Sequence, residues 1–342
     1  MTAPELTPQA GSGPRPQAYA VLDQRQRGTS FIKLPFKSLL NTPQQTGMDF
    51  WSVNPYVGCE FGCTYCYARF AHQYVSERAV SKGAPPKFGQ WSPDDFESRI
   101  FVKAEAADVL ALTLRPSRIG AHSIFIGSAT DPYQPAERQF RITRQILERL
   151  SQYHGLQIGL ITKSPLVTRD IDVLTRIASR NELTVSISIM TVDPHLMRRL
   201  ERRSPAPWAR MRALHRLAQA GIHAGVMIAP IIPGVSDDVP HLEALLRAAK
   251  ESGARFAHAA PLRMYGGVKR RFMPVVAAEF PELLGKYERA FDRNGIVSPV
   301  YSAALKRRVS LLRRKVGLPS VPSRADMREE PKEIEQQELA LA

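Results

Sequence analysis

The chain has 342 residues, of which 44% are hydrophobic and 23% are charged, the composition of a globular protein with an ample core. It contains no apolar run of about 20 residues, which argues against a membrane span. The formal net charge of +15 exceeds what a small neutral substrate requires, and it predicts a polyanionic partner or a very basic surface.

The N-terminal segment carries no pattern typical of a folded element. Residues 1–45 mix Pro, Gln, Gly, Thr and Ser without apolar periodicity, which predicts a mostly disordered lead-in that ends in a short docking segment near residues 31–40. The segment also lacks a hydrophobic signal sequence. We therefore expect a cytoplasmic protein whose thiols stay reduced.

All three cysteines of the chain, Cys59, Cys63 and Cys66, lie within eight consecutive residues. An odd number of thiols packed this closely cannot form a disulfide framework, and soft thiolates select zinc, copper(I) or iron–sulfur. Gly58 and Gly62 permit a tight loop whose N–H groups point inward at sulfur. Three thiolates from such a loop can hold three irons of a [4Fe–4S] cluster and leave the fourth iron open to a ligand.

Two other interpretations of the cysteines remain open. A zinc ion could take His72 as its fourth ligand, although structural zinc usually binds two separated ligand pairs and only Cys63 and Cys66 have the spacing of a pair. The three thiols could also be unrelated buried side chains.

The spacing C-x3-C-x2-C, with Tyr65 just before the last cysteine, resembles the signature of the radical S-adenosylmethionine (SAM) enzymes. The wider run of residues 54–69 is similar to the branch related to spore photoproduct lyase, often labelled DNA-repair photolyase-like. Phe61 departs from that branch, in which histidine is frequent at this position. The resemblance implies an open partial barrel, a [4Fe–4S] cluster bound by the three cysteines, and SAM bound at the open iron.

Between residues 46 and 265, short apolar runs alternate with amphipathic stretches, which predicts βαβ units and a parallel sheet. The first strand, 50–57, delivers the cysteine loop, and helices follow at 66–80 and from 91 past 110. Further strands are predicted at residues 122–127, 156–162, 183–190, 223–228 and 254–259. Six β/α steps predict an α/β fold, a partial (β/α)6 TIM-type barrel that binds its ligands at the carboxyl ends of the strands.

Several polar residues lie at these predicted strand ends, and the resemblance assigns them to SAM. Ser128 or Asp131 matches a motif that binds the amino group of SAM, although an Asp-Pro pair is also a common turn. Lys163 matches a lysine that contacts the SAM carboxylate in spore photoproduct lyase, against the alternative of an ordinary surface lysine. Ser188, or Ser186 on the same strand face, matches a contact to ribose or methionine, or else bonds its own strand.

Two tyrosines flank the last cysteine. Tyr65 is expected beside bound SAM, and Tyr67 corresponds to a tyrosine of spore photoproduct lyase that takes part in hydrogen transfer, which makes it the catalytic candidate. A tyrosine next to a metal loop can also merely shield it. Spore photoproduct lyase uses a further cysteine as hydrogen donor, and the absence of a fourth cysteine here argues against the same repair mechanism. We expect His72, His122 and His195 to be ordinary histidines, since none has a partner at ligand spacing.

Beyond residue 265 the chain becomes basic. Residues 266–320 predict a basic helical extension with helices at 281–293 and 302–316, and residues 321–342 predict a flexible tail. The expected nucleic-acid contacts are the cations of the last helix: Lys306, Arg307, Arg308, Arg313, Arg314 and Lys315. Removal of residues 300–318 is therefore expected to weaken nucleic-acid binding and to spare SAM cleavage.

Together these patterns predict a radical SAM enzyme that receives an electron from a low-potential donor. It would cleave SAM reductively to a 5′-deoxyadenosyl radical and act on a nucleic acid, in repair or modification. Two alternatives remain. One is a radical SAM enzyme with a small-molecule or peptide substrate, and the other is a nucleic-acid-binding protein whose metal is purely structural.

Overall fold

The computed structural model describes residues 20–25, 28–81 and 93–320. The strands are β1 (Val21–Gln24), β2 (Ser30–Lys33), β3 (Leu40–Asn41), β4 (Trp51–Val53), β5 (Tyr56–Val57), β6 (Arg99–Val102), β7 (Ile124–Ile126), β8 (Gln157–Thr162), β9 (Glu182–Ser188), β10 (Ala224–Ile231) and β11 (Ala257–Pro261). The α-helices are α1 (Pro43–Thr46), α2 (Ala71–Ser81), α3 (Ala106–Thr113), α4 (Pro116–Ile119), α5 (Glu137–Phe140), α6 (Ile142–Leu150), α7 (Ile171–Ala178), α8 (Pro194–Leu200), α9 (Pro207–Gln219), α10 (Val239–Glu251), α11 (Gly266–Glu279), α12 (Leu284–Ala290) and α13 (Pro299–Val316). Short 3-10 turns lie at Tyr67–Phe70, Pro93–Glu97, Pro165–Asp170 and Pro281–Leu283.

The main sheet has seven strands in the order β11-β10-β9-β8-β7-β4-β3. Six of these strands run parallel, namely β4, β7, β8, β9, β10 and β11, and β3 pairs antiparallel with β4 at the edge. Parallel neighbours need crossover connections, and the helices between the strands supply them. This arrangement confirms the mixed α/β class with a parallel sheet, and it is consistent with a partial TIM-type barrel.

The main apolar core lies between this sheet and its helices. Leu160 of β8 lies opposite Val185 of β9, which in turn lies opposite Ala224 of β10, and all three side chains are fully buried. The strands are therefore the near-continuous apolar runs that a parallel sheet covered on its faces requires. We call this cluster the barrel core.

The second sheet has the order β1-β2-β6-β5, and it corrects two predictions. The helix predicted from residue 91 past 110 is wrong, because β6 interrupts it and pairs parallel with β2. Ile100, Phe101 and Val102 are fully buried in that pairing, so contact with a distant strand overrides the local helical pattern. The single strand predicted at residues 50–57 is two strands, β4 and β5, which belong to different sheets.

The N-terminal segment contains β-strands at residues for which the sequence predicts mostly disorder. Residues 1–19 of the predicted lead-in lie outside the described residues, but residues 20–45 contain β1, β2 and β3. Phe31 and Leu39 of the predicted docking segment are fully buried. The domain boundaries inferred from composition stay a prediction, and the predicted tail also lies outside the part of the chain that the structure describes.

Helix α13 packs on the outside of the barrel, beside α10 and β11. Leu305, Val309 and Leu312 belong to the barrel core, and the amide N–H of Ala257 in β11 donates to the Pro319 carbonyl at 3.0 Å. Deletion of residues 300–318 would therefore open the core, and the expectation that such a truncation spares catalysis is corrected. No helix within residues 20–320 that the structure describes is long and apolar enough to cross a bilayer.

A second apolar cluster, which we call the mouth cluster, lies at the carboxyl ends of the parallel strands. It joins the cysteine loop, α8 and the segment from 262 to 297, which are distant in the sequence. Its buried members are Phe61, Cys63, Tyr65, Met190, Leu196, Leu200, Ile232, Leu262, Met264, Val268, Phe272, Val276, Phe280, Leu283, Tyr287, Phe291 and Val297. The mouth cluster thus covers the edge at which an α/β sheet binds its ligands.

Candidate active site at the cysteine loop

The cysteine loop leaves β5 and ends at the 3-10 turn Tyr67–Phe70, and its backbone is bound from two sides. The amide N–H of Cys59 donates to the Phe96 carbonyl at 2.8 Å, and that of Thr64 donates to the Leu200 carbonyl at 3.0 Å. Between these anchors Cys63 forms an antiparallel bridge with Glu201. Backbone hydrogen bonds on both sides therefore fix the position of the cysteine loop.

Two glycines allow the tight path of the loop. Gly58 and Gly62 have φ values of 96° and 66°, and a Cβ at Gly58 would lie 2.8 Å from the Arg99 carbonyl oxygen. The backbone N–H groups of Phe61 and Asp131 both lie against the Cys59 thiol. Such N–H groups orient a metal-bound sulfur and stabilise its charge.

A buried glutamine and glutamate connect the cysteine loop to the segment after β7. The Gln134 side chain donates to the Gly58 carbonyl at 2.9 Å and accepts from the Glu60 amide at 3.0 Å. The Glu60 carboxylate accepts from the Ala136 amide at 2.8 Å and pairs with Arg25. These contacts satisfy the buried polar groups of the loop and fix its position against β7.

Beneath the cysteines lies a buried ionic network centred on Glu201. Lys163 lies with its Nζ 3.1 Å from Glu201 Oε1 and donates to Ser188 Oγ at 2.9 Å. Arg210 forms an ion pair with Glu201 and donates to the Ser188 carbonyl at 2.9 Å. Tyr65 donates its hydroxyl hydrogen to Glu201. The network therefore joins the cysteine loop to β8 and β9.

The buried network carries one more cation than carboxylate. Burial by itself would raise the pKa of Glu201, but Arg210 and Lys163 outweigh it and hold that pKa at about 2. Desolvation opposes the charge of Lys163, yet Glu201 and Cys63 raise the pKa of Lys163 above its usual value. Two cations thus share one carboxylate, while burial and the nearby Glu201 raise the pKa of the Cys63 thiol to about 12 in the absence of a bound group.

The geometry does not support a site for one metal ion. Among the described residues, no group of three or more His, Cys, Asp or Glu side chains converges closely enough to hold a single ion. His72, the proposed zinc ligand, is buried between Phe96 and Phe101, where its Nε2 lies 2.9 Å from the Arg99 carbonyl oxygen. The zinc interpretation with His72 is therefore corrected. Three sulfurs from one loop, without a hard oxygen ligand, fit a polynuclear iron–sulfur cluster.

Two of the predicted SAM contacts lie on the turn after β7. The Asp131 carboxylate accepts hydrogen bonds from the Thr162 hydroxyl at 2.6 Å and from the amides of Lys163 and Tyr133 at 2.7 and 2.9 Å. Asp131 therefore fastens this turn to β8. Ser128 accepts at its Oγ from the Asn54 side chain at 3.2 Å.

The remaining candidates divide between the network and the rim of the site. Ser188 belongs to the network around Glu201, and Ser186 is buried two residues earlier on β9. Tyr67 is half exposed, and its hydroxyl donates to the Ser128 carbonyl. The structure thus brings together Tyr65, Lys163 and Ser188 through a glutamate that sequence reasoning missed.

Three comparisons with known proteins bear on this site. The profile of the Radical SAM superfamily matches residues 53–246, which include the cysteine loop and the strands from β5 to β10. The chain belongs to the radical SAM superfamily. It is therefore a radical SAM enzyme, and membership implies SAM and an iron–sulfur cluster.

Its relatives include uncharacterized proteins of Mycobacterium tuberculosis and Mycobacterium bovis, each 31% identical over 293 residues, which are 85% of this chain and 82% of the relative. An uncharacterized protein of Methanocaldococcus jannaschii is 29% identical over 206 residues, 60% of this chain and 69% of that protein. A solved structure of spore photoproduct lyase complexed with dinucleoside spore photoproduct superposes with a TM-score of 0.60 at 15% identity. The superposition covers 84% of this chain and 79% of that one, and it shows a common fold.

Proposed function

We propose that this radical SAM enzyme cleaves SAM reductively at a [4Fe–4S] cluster bound by Cys59, Cys63 and Cys66, and that its substrate is a nucleic acid. The observation that carries the proposal is the donor set. Three thiols share one braced loop at the carboxyl edge of a parallel sheet, and no described group of side chains is arranged for a single ion. Such a set leaves one iron open for SAM.

The chain's own residues would bind and orient SAM. The ammonium of Lys163 is positioned by Glu201 and Ser188 to attract the SAM carboxylate. Ser128, with the turn held by Asp131, would accept from the SAM amino group. Tyr65 would line the site beside the last thiolate, and Ser188 or Ser186 would contact the ribose or methionine.

When bound, the cluster and SAM supply the electron transfer and the 5′-deoxyadenosyl radical. The protein supplies orientation and excludes water, because the mouth cluster packs apolar side chains around the loop. Tyr67, half exposed beside Cys66 and hydrogen-bonded to the Ser128 carbonyl, is the candidate for hydrogen transfer with the substrate.

Two features support a nucleic-acid substrate. The net charge of +15 favours a polyanion, and the superposed spore photoproduct lyase was solved in complex with dinucleoside spore photoproduct. On α13, Arg308 and Arg313 donate to backbone carbonyls and Lys315 pairs with Glu243. Three other cations of α13 are exposed and form no ion pair within the described part of the chain: Lys306, Arg307 and Arg314. These three are the better candidates for backbone contacts that flank the reacting nucleotide.

The test is anaerobic reconstitution with iron and sulfide, followed by SAM and dithionite in place of the physiological low-potential donor. We expect wild-type protein to produce 5′-deoxyadenosine, measured by chromatography, and C59A/C63A/C66A to produce none. Tyr67→Phe should still release 5′-deoxyadenosine but should form no product on a nucleic-acid substrate. Intact SAM with an unchanged absorption spectrum of the wild-type protein would overturn the proposal and would favour a structural metal.

A further inference from the structure

We propose that a cavity beside the cysteine loop, which we call the arginine pocket, binds a phosphate group of the substrate. This inference rests on the proposed nucleic-acid function and names where the substrate backbone is held. The pocket has a volume of about 560 Å³, and its lining residues are His195, Arg198, Arg199, Arg202 and Glu279. They come from α8, from the segment that follows α8, and from the end of α11.

The charges of the pocket suit an anion. Three guanidinium groups face one carboxylate, that of Glu279, so the pocket carries an excess of about two positive charges. Arg199 bonds Glu279 at 2.6 Å, and its guanidinium lies 4.2 Å from the centre of the Phe280 ring, which fixes its orientation. A guanidinium held in place in this way can bind phosphate with little further loss of side-chain freedom.

The other two arginines keep hydrogen-bond donors available. Arg198 uses Nη1 to donate to the Arg202 carbonyl at 2.7 Å, which leaves other N–H groups of its guanidinium free for a ligand. Within the described residues, the Arg202 side chain forms no hydrogen bond or ion pair, and it is exposed. Paired N–H donors of this kind match the oxygens of a phosphate.

The pocket is connected directly to the cysteine loop. The Leu200 carbonyl accepts from the Thr64 amide at 3.0 Å, and the Arg203 amide donates to the Phe61 carbonyl at 3.2 Å. In the same short segment Glu201 points inward to the buried network while Arg202 is exposed. A phosphate in the pocket would therefore lie beside the segment that is hydrogen-bonded to the cysteine loop.

A neighbouring group of arginines extends the positive rim. Glu97 accepts from Arg271 at 2.8 Å and also pairs with Arg69 and Arg203, so one carboxylate serves three guanidinium groups. Arg203 is adjacent in sequence to Arg202 and connects this group to the arginine pocket. The rim around the cysteine loop thus presents several guanidinium groups, which would guide a polyanion toward the site.

The chain offers a matched control at the opposite end of the sheet. A second cavity of about 450 Å³ is lined by Arg176 and Arg180 together with Glu148, Ser151 and Gln152. Arg176 is in α7, and Arg180 follows that helix just before the start of β9, far from the carboxyl ends of the strands. The double variants R198Q/R202Q and R176Q/R180Q therefore each remove two positive charges, at opposite ends of the parallel strands.

The experiment measures binding of a fluorescein-labelled single-stranded DNA to the reconstituted full-length protein by anisotropy, over a series of salt concentrations. For R198Q/R202Q we expect binding weakened about tenfold or more, and a slope of log K against log salt that is shallower by about 0.7 for each lost phosphate contact. R176Q/R180Q should bind within about twofold of wild type. E279Q removes the negative charge of the pocket but keeps a side-chain oxygen that can accept from Arg199, so it should bind more tightly than wild type.

Three results would overturn the inference: wild-type protein that fails to bind the DNA, equal loss of affinity in the two double variants, or weaker binding by E279Q. Far-UV circular dichroism and urea midpoints of each variant show whether the fold is retained. Release of 5′-deoxyadenosine without DNA is measured separately. A pocket that binds DNA in a protein unable to cleave SAM would refute the proposed function and leave the pocket intact.

Discussion

The barrel core and the mouth cluster are both apolar, but they are built in different ways. The barrel core joins strands that are neighbours in sequence order, with side chains such as Leu160 and Val185 packed in parallel register. The mouth cluster joins the cysteine loop to α8 and to α11 and α12, more than a hundred residues away, and it surrounds polar and ionic groups. The difference indicates that the first cluster sets the fold and the second sets the chemistry.

The largest expected effect separates the two clusters directly. Cys63→Ser removes one of the three proposed cluster ligands, so 5′-deoxyadenosine formation should fall by more than about 100-fold, beyond the loss typical of residues that only support a ligand, and the iron content should fall with it. Leu160→Ala leaves the loop intact but should destabilise the protein by about 2–5 kcal/mol through the cavity it creates. Iron analysis and urea unfolding of the metal-free proteins check both. If both variants lost iron and unfolding free energy to the same extent, the separate roles of the mouth cluster and the barrel core would be contradicted.

A second prediction tests the buried network beneath the cysteine loop. Glu201→Ala leaves the charges of Lys163 and Arg210 without their buried partner and should cost about 3–5 kcal/mol of unfolding free energy. Glu201→Gln keeps the shape and some hydrogen bonds and should cost less. Urea unfolding measures both variants. Equal stability of Glu201→Ala and wild type would show that the network does not join the loop to β8 and β9.

A third prediction concerns the pH dependence of the protein's stability, to which the buried His72 contributes. Burial lowers the pKa of His72 to about 4, below the value of about 6.5 expected when the chain is unfolded. The unfolded chain therefore takes up the proton first as the pH falls. Stability should decrease between pH 6.5 and pH 4, by up to about 3 kcal/mol, and level off below that range.

His72→Gln is the control for this prediction, because it removes the titrating group and should flatten that part of the stability curve. Chemical unfolding at several pH values measures the difference between the two proteins. An identical pH dependence in the variant would show that His72 is not responsible.

The smallest expected effect is on the exposed face of α13. The triple variant K306Q/R307Q/R314Q changes no buried side chain, so its stability should lie within about 0.5 kcal/mol of wild type. Its DNA affinity should fall less than that of the arginine-pocket variant, because α13 lies on the outer side of the barrel. If K306Q/R307Q/R314Q lost more DNA affinity than R198Q/R202Q, the main phosphate contacts would lie on α13 and not in the arginine pocket.

Local sequence patterns predicted the parts of the molecule that depend on local packing. The strands β8 and β9 and the position of the cysteine loop follow from apolar runs and from the spacing of Cys59, Cys63 and Cys66. The pairing of β6 with β2 could not be predicted, because its energy comes from a partner about 70 residues earlier in the chain.

The same limit applied to the site. Lys163 and Ser188 are candidates because the resemblance matches them to SAM contacts near the ends of predicted strands, whereas Glu201, which connects them, is not identified from the sequence. Its only sequence signal is a position just before the helix interruption at residues 204–207. Arg210 lies on a helix that looks amphipathic and surface-exposed, yet its side chain is fully buried against Glu201. Buried ion pairs depend on tertiary neighbours, which a single sequence does not show.

The central claim is that the three thiols hold a polynuclear cluster with one iron open to SAM. Iron, acid-labile sulfide and zinc should be quantified on anaerobically purified protein. The proposed function predicts about four irons and four sulfides for each chain, with little zinc. About one zinc per chain with no sulfide would contradict it.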